Sequence, residues 1–363
     1  MSKRSKPAIV IILSLVGTIG ILGFILLFPK LQVYWSGMTV TCNREVRTFL
    51  LKEPITCEEL AALLEDQNIV DEPEDFLKVA TYKQLSKERI AAGMYEIFPR
   101  TSYRTLLNGF TKNAAGNGNA EVEVTLTFNN CKTLQQMAGK VSKCIAVDSA
   151  SLMAYLMDGS TLEKYGFTWE QFPAMFIPNT YKLYYDTDAA AFTQRMAQEF
   201  KLFWTPVRSS KLKSLGLTSP SELVTLASIV YAEQSRIADE WPTIAGLYLN
   251  RIRTGMKLQS DPTFKFCWGD KLEGVQRLLA VHRSIVCPYN TYLIKGLPPG
   301  PINLPEAIVL EAVLGAPKVN YLFMCAKPDY SGRHNFAVTG TEHLENARVF
   351  QNWLGEEQKK KQQ

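Results

Sequence analysis

Ser219-Pro220-Ser221-Glu222-Leu223-Val224-Thr225-Leu226-Ala227-Ser228-Ile229-Val230-Tyr231-Ala232-Glu233 decides the character of this chain. Three helix-start signals stand together: serine at the N-cap, proline at the first helical position and glutamate at the third. Leu223, Leu226 and Val230 follow at i, i+3 and i+7, the spacing of a core-facing stripe. Glu233 falls at i+10 on that stripe. A carboxylate at the end of an apolar face is partly desolvated, which raises its pKa and suits it to general-acid work near neutral pH. A solvated Glu233, or one paired with Arg236 or Arg251, is the competing reading at this point.

Downstream, Pro242 opens a second helix, Thr243 to Arg253, which Gly255 closes as a C-cap. Three loop blocks come next: Leu258-Gln259-Ser260-Asp261-Pro262-Thr263, Tyr289-Asn290-Thr291-Tyr292 and Gly296-Leu297-Pro298-Pro299-Gly300-Pro301-Ile302. Amides, hydroxyls and tyrosines are the chemistry of a sugar groove, since a tyrosine offers a ring face together with a hydroxyl. Loops that brace a core have the same composition, and both readings stay open here. His282, His334 and His343 are scattered, and no HExxH, GxSxG, P-loop or strand-helix GxGxxG occurs, so no metal and no organic cofactor is expected.

Upstream, Ala8 to Phe28 is an uncharged run, long enough as a helix to cross about 30 Å of hydrocarbon. Lys3, Arg4 and Lys6 precede it and Lys30 follows, which places residues 1–7 in the cytoplasm and residues 8–28 in the membrane. Tyr34 and Trp35 suit the interface. Residues 39–112 read as a small α+β module in which Thr56-Cys57-Glu58-Glu59 is a capping box, followed by Leu60, Leu63 and Leu64 at helical spacing. A strand over Gly93–Phe98 and a helix through Tyr103, Leu106 and Leu107 complete it. Residues 113–120 are a linker, and Glu121 to Phe128 alternates as one strand. A larger mixed α+β domain spans 121–350, and 351–363 is a polar, frayed tail.

The whole is 363 residues, 46% hydrophobic and 21% charged, with net charge +5. That excludes a disordered or collagenous chain and gives no strongly basic field for nucleic acid. Seven cysteines outside the cytoplasm permit the neighbour pairs Cys42–Cys57, Cys131–Cys144 and Cys267–Cys287, with one thiol left over. Free buried thiols are the alternative.

The ordered blocks Leu226-Ala227-Ser228-Ile229-Val230-x-x-Glu233, Ile244-Ala245-Gly246-x-x-x-Asn250-Arg251 and Gly255-Met256-x-Leu258-Gln259-Ser260-Asp261-Pro262-Thr263 closely resemble the endolytic murein transglycosylases, the YceG-like family. Tyr289-Asn290-Thr291-Tyr292, Leu297-Pro298-Pro299-Gly300-Pro301-Ile302 and His334-Asn335-Phe336 match later blocks. Phe176-Ile177-Pro178-Asn179-Thr180-Tyr181 matches an earlier one, with asparagine in place of the family's aspartate. Thr48 to Phe110 resembles the LysM-like module that precedes the catalytic domain in that family.

The resemblance implies an inner-membrane, single-pass protein with its catalytic domain outside the cytoplasm. Its implied activity is internal cleavage of nascent peptidoglycan between N-acetylmuramic acid and N-acetylglucosamine, leaving 1,6-anhydro ends that terminate strand growth. Peptidoglycan synthases and division or elongation proteins are the implied partners. The family's E-x-E-T reads Tyr231-Ala232-Glu233-Gln234 here, so the general acid carries over to Glu233 while the first acid and the threonine are lost. Asn250, Arg251, Gln259, Asp261, Tyr289, Asn290 and Tyr292 are the groove candidates. Asp239, Glu240 and Asp261 are candidates for a second carboxylate, which would make the enzyme a hydrolytic muramidase. A non-catalytic glycan-binding scaffold is the alternative from another class.

Overall fold

The structure is a computed structural model that describes residues 6–85, 89–111, 120–272, 275 and 279–360. It divides into two compact units, Met1–Val124 with Lys182–Asp186, and Thr125–Tyr181 with Thr187–Gln363. Nearly all of the expected linker, and residues 1–5 of the expected cytoplasmic segment, lie outside the described residues.

In the first unit, α1 (Lys6–Ser36) carries the apolar run. Val16–Ser36 is long and apolar enough to cross a membrane, and its most apolar stretch is not buried in protein. The helix does not end at Phe28: it passes through Pro29 and continues to Ser36. Its last turns lie beside α3 (Pro73–Tyr82), with Val33 near Leu77, and the Arg104 guanidinium sits 5.5 Å over the Tyr34 ring.

β1 (Arg47–Leu51), α2 (Cys57–Asp66), α3, β2 (Gly93–Ile97), α4 (Tyr103–Phe110) and β3 (Glu121–Val122) complete this unit. β1 and β2 are antiparallel with Phe49 opposite Tyr95, and β3 adds to the other side of β2. The capping box forms as read: Glu59 N donates to Thr56 Oγ1, and Thr56 N donates to Glu59 Oε2 at 2.7 Å. Leu60, Leu64, Phe76, Val79, Leu106 and Phe110 fill the core against the sheet.

The alternating run 121–128 is two strands rather than one. β3 pairs with β2, whereas β4 (Val124–Phe128) pairs with β5 (Asn179–Leu183). Alternation records which side chains are buried, and Leu126 and Phe128 are; it does not record which strand supplies the hydrogen bonds.

The second unit is mainly helical: α5 (Leu134–Val141), α6 (Ser149–Met157), α7 (Gly159–Tyr165), α8 (Ala189–Phe203), α9 (Pro206–Ser214), α10 (Pro220–Glu233), α11 (Trp241–Arg253), α12 (Asp261–Trp268), α13 (Ala280–Arg283) and α14 (Ala307–Leu314). The antiparallel hairpin β6 (Phe323–Ala326) and β7 (His334–Ala337) precedes α15 (Gly340–Lys360). The expected polar tail is therefore helical through Lys360, with Arg348–Glu345 and Lys360–Glu357 pairs along it.

α10 lies at the centre of this unit's core, packed by α9, α11, α12 and α14. Every residue from Leu223 to Val230 is buried, so the helix is enclosed all round instead of along one stripe. The Thr225 and Ser228 hydroxyls donate to Ser221 O at 2.8 Å and Thr225 O at 2.7 Å. Hydroxyls satisfied by their own helix can be buried at little cost.

Of the three cysteine pairs considered, Cys267–Cys287 forms. The others do not: Cys42 donates to Asn68 O, Cys57 to Leu85 O and Cys131 to Asn129 O. Nearness in sequence does not bring those sulfurs together, and a backbone carbonyl accepts from the Cys42, Cys57 and Cys131 thiols instead.

Candidate active site

Glu233 is the last residue of α10, placed by a helix whose start is set at the other end. Ser219 Oγ accepts from Glu222 N at 3.3 Å, and Glu222 Oε2 reaches one residue further back, to Thr218 N at 2.6 Å. The far end is fixed by the glycine- and proline-rich block. Ile302 N donates to Ser228 Oγ at 3.0 Å, and Asn303 Nδ2 donates to Ser228 O at 2.8 Å.

Two hydroxyls converge on one oxygen of the carboxylate. Tyr248 Oη, from α11, donates to Glu233 Oε1 at 2.8 Å, and Ser260 Oγ donates to the same atom. Glu233 keeps some surface open to solvent, but burial raises its pKa above 4.5 against the lowering effect of both hydroxyls. Asp261 pushes it up further and His334 pulls it down. Burial, reinforced by the Glu233 carboxylate, holds the Tyr248 phenol protonated well above 10.

Ser260 is held from behind. Its backbone N–H donates to Thr291 Oγ1 at 3.0 Å, and Thr291 Oγ1 lies 2.8 Å from Thr263 Oγ1. Thr263 donates on to Ser260 O at 2.6 Å, and Gln259 N donates to Thr291 O at 3.1 Å. The Tyr289–Tyr292 block thus acts on the site through its threonine. Gln259 itself is exposed and takes a left-handed φ of 48°.

A second network fixes the chain immediately after the glutamate. The Gln234 amide donates to Glu240 Oε2 at 3.2 Å and Gly332 O at 2.9 Å, and accepts from the N–H groups of Arg236 and Ile237. Trp241 Nε1 donates to Gln234 O at 2.6 Å. Glu240 in turn accepts from His334 N at 2.9 Å, with His334 Nδ1 2.8 Å from its other oxygen. Burial would raise the Glu240 pKa, but the His334 and Gln234 bonds outweigh it and the net shift is downward.

The seven expected groove residues fall into two groups. Asn250 donates to Val319 O and Tyr321 O, Arg251 to Leu322 O and Leu258 O, and Asn290 to Arg283 O and Ile285 O. All three are buried and hold loops by their backbone carbonyls. Asp261, Tyr289 and Tyr292 are partly open, and Gln259 is exposed. Tyr292 Oη donates to Asp261 Oδ1 at 2.5 Å, while the Arg283 guanidinium lies 3.6 Å from the same oxygen and 5.3 Å over the Tyr292 ring.

Tyr248, Ser260 and Thr291 are the site members that sequence reasoning passed over. All three stand inside the quoted blocks, where nothing local separates them from their neighbours. The surviving signal was Tyr248, four residues after Ile244 and therefore on the inward face of α11.

Tyr231 packs against Trp241 at 6.2 Å and donates to Asn130 Oδ1 at 3.0 Å. Among the described residues no group of three or more His, Cys, Asp or Glu is placed to hold a metal ion.

Fold and site together define a mixed α+β protein in which one desolvated carboxylate ends a helix buried from Leu223 to Val230. The chain belongs to the YceG-like family, whose model matches residues 50–349. A protein named endolytic murein transglycosylase from Streptococcus pneumoniae serotype 2 is 25% identical over 326 residues, covering 84% of this chain and 58% of that one. One of the same name from Bacillus subtilis is 37% identical over 125 residues, covering 34% of this chain and 33% of the relative. The chain thus spans 58% of the length of the streptococcal relative it matches. A crystal structure of a YceG-like protein from Listeria monocytogenes shares the fold at a TM-score of 0.52 and 23% identity, covering 84% of this chain and 99% of that one.

Proposed function

We propose that this protein is an endolytic peptidoglycan lytic transglycosylase with Glu233 as general acid and then general base. The observation that carries this reading is the carboxyl of Glu233, desolvated on a rigid helix end with both hydroxyl donors on Oε1. That arrangement leaves Oε2 to carry the proton. In the first step Glu233 gives this proton to the oxygen between muramoyl C1 and glucosaminyl C4, and the C1–O bond breaks toward an oxocarbenium-like state. In the second, the muramoyl C6 hydroxyl bonds to C1 and its proton goes to the Glu233 carboxylate. The acid is regenerated, and the products are a 1,6-anhydro end and a free C4 hydroxyl.

Each carboxylate weighed as a second acid already has a partner. Asp239 pairs with Arg333 at 2.8 Å, Glu240 is held by His334 and Gln234, and Asp261 by Tyr292 and Arg283. None is left to position water, which favours transglycosylation over hydrolysis.

Asn250, Arg251 and Asn290 act as positioning residues, whereas Gln259, Asp261, Tyr289 and Tyr292 face the substrate. The β1-α2-α3-β2 order with antiparallel strands supports the LysM-like reading of the first unit. The apolar α1, flanked by Lys3, Arg4 and Lys6, supports a single-pass anchor in the inner membrane with the domains outside the cytoplasm.

Purified peptidoglycan digested by wild type and Glu233→Gln, with the muropeptides weighed by mass spectrometry, tests the proposal. Wild type should release anhydro-muramoyl ends without taking oxygen from labelled water. Glu233→Gln should lose about 10²–10⁴ of the rate, the usual contribution of a general acid. Labelled reducing ends would make the protein a muramidase, and an unaffected Glu233→Gln would leave only a glycan-binding scaffold.

A further inference from the structure

In the first unit the end of α1 is bonded directly into the module that follows it. Arg104 N donates to Gly37 O at 3.3 Å, Tyr103 N to Thr39 O at 2.8 Å and Thr41 N to Thr101 O at 2.9 Å. Gly37 is closely packed, since a Cβ there would lie 3.2 Å from Val33 O and 3.4 Å from Arg104 Nε. The buried Ser36 hydroxyl bonds to the Asp75 carboxylate of α3, which Lys78 Nζ also reaches at 2.9 Å. No free stalk separates the apolar helix from α3.

α3 has two faces. Phe76, Val79 and Ala80 are buried in the module's core. Glu74, Leu77, Lys78, Thr81 and Tyr82, at i, i+3, i+4, i+7 and i+8, instead line an open groove of about 540 Å³ whose other wall is Val33 of α1. Val33 stands three residues before Ser36, about 4.5 Å back along the helix toward the apolar run. The groove therefore opens at the level where a membrane-spanning α1 leaves the hydrocarbon. Tyr34 and Trp35 are 50% and 60% exposed there, and Tyr82 is 63% exposed beside them. Aromatic rings with a polar edge favour that layer, and α3 adds one to the two of α1.

We infer that this groove is a phospholipid site, at which the outer leaflet of the membrane covers one face of α3. An acyl chain lies on Val33, Leu77 and the Tyr82 ring. The lipid phosphate meets the Lys78 ammonium and the Thr81 hydroxyl, and the Glu74 carboxylate suits the ammonium of a zwitterionic headgroup. Lys78 can serve a phosphate while bonded to Asp75, because an ammonium has three donors. The inference rests on the proposed anchor, and it goes beyond it: the module is held flat on the bilayer by its own side chains as well as tethered through α1.

The test places a photoreactive benzoylphenylalanine singly at Tyr82, Phe24 or Thr48 of the full chain, reconstituted in vesicles of phosphatidylethanolamine and phosphatidylglycerol. Phe24 lies in the apolar run, and Thr48 is exposed on the face of β1 opposite the buried Phe49. After irradiation, mass spectrometry should find phospholipid adducts at residues 24 and 82 and none at 48. With Lys78→Gln added, the yield at residue 82 should fall about fivefold, the usual effect of one lysine on binding to an anionic lipid surface. Adducts at residue 24 without any at 82, or cross-links from 82 to a second copy of the chain, overturn the lipid site and leave the anchor standing. No adduct at residue 24 sinks the anchor and the site with it, and an undiminished yield with Lys78→Gln overturns the phosphate contact.

Discussion

The Tyr248 hydroxyl donates to Oε1 of Glu233 across 2.8 Å, joining the end of α10 to the middle of α11. A donor to a carboxylate favours the charged form, so this bond tempers a pKa that burial drives upward. Glu233 is thereby both desolvated enough to be protonated and supported enough to release its proton.

Tyr248→Phe removes that support. The Glu233 pKa should rise further, which moves the alkaline limb of the kcat/KM profile to higher pH. The rate should fall about tenfold, equivalent to about 1.4 kcal/mol of barrier, because the carboxylate left after proton transfer loses a donor. A pH–rate series on purified strands measures both; an unmoved limb would show that the phenol only packs.

Glu233→Gln should stabilise the fold at neutral and higher pH relative to wild type. A carboxyl whose folded pKa lies above its unfolded value binds more protons when folded, so stability falls as pH rises between the two. The wild-type deficit starts above the ordinary 4.5 and is complete once the raised value is passed. Thermal unfolding of both proteins across pH reads the difference, and parallel curves would contradict a desolvated acid.

Glu240 should show the opposite sign. Its pKa is lowered, so its contribution is present above the ordinary 4.5 and is lost as pH falls through the lower folded value. Glu240→Ala leaves one N–H of the Gln234 amide and the His334 N–H without their acceptor, at about 1–3 kcal/mol for each group left buried. A reduced midpoint in chemical unfolding should accompany reduced activity, since the chain after Glu233 is released.

Reduction should weaken the site from a third direction. Cys267–Cys287 closes a separation of 20 residues between α12 and the loop that leads to Thr291. A loop of that size is held at about 3 kcal/mol in the chain-entropy account. Reductant should lower the unfolding midpoint of wild type and leave the Cys267→Ser, Cys287→Ser double variant unchanged.

Much of this protein was legible along the chain because the relevant physics is local. Caps, proline at the first turn and apolar spacing concern residues within a few positions of one another, so the capping box at Thr56, the start of α10 and the membrane-length helix could be read directly. Glu233 was legible for the same reason, as the carboxylate closing an apolar helix.

Tertiary structure decided the matters that depend on which distant groups meet. It buried α10 on every side, divided 121–128 between two sheets, and chose Cys267–Cys287 among the possible pairs. It also gave the hydroxyls of Tyr248 and Ser260 to Glu233 while turning Asn250, Arg251 and Asn290 onto backbone carbonyls. An amide in a loop looks the same in sequence whether it faces a sugar or a carbonyl. Only the packed fold, by fixing which buried polar groups need partners, assigns it to one or the other.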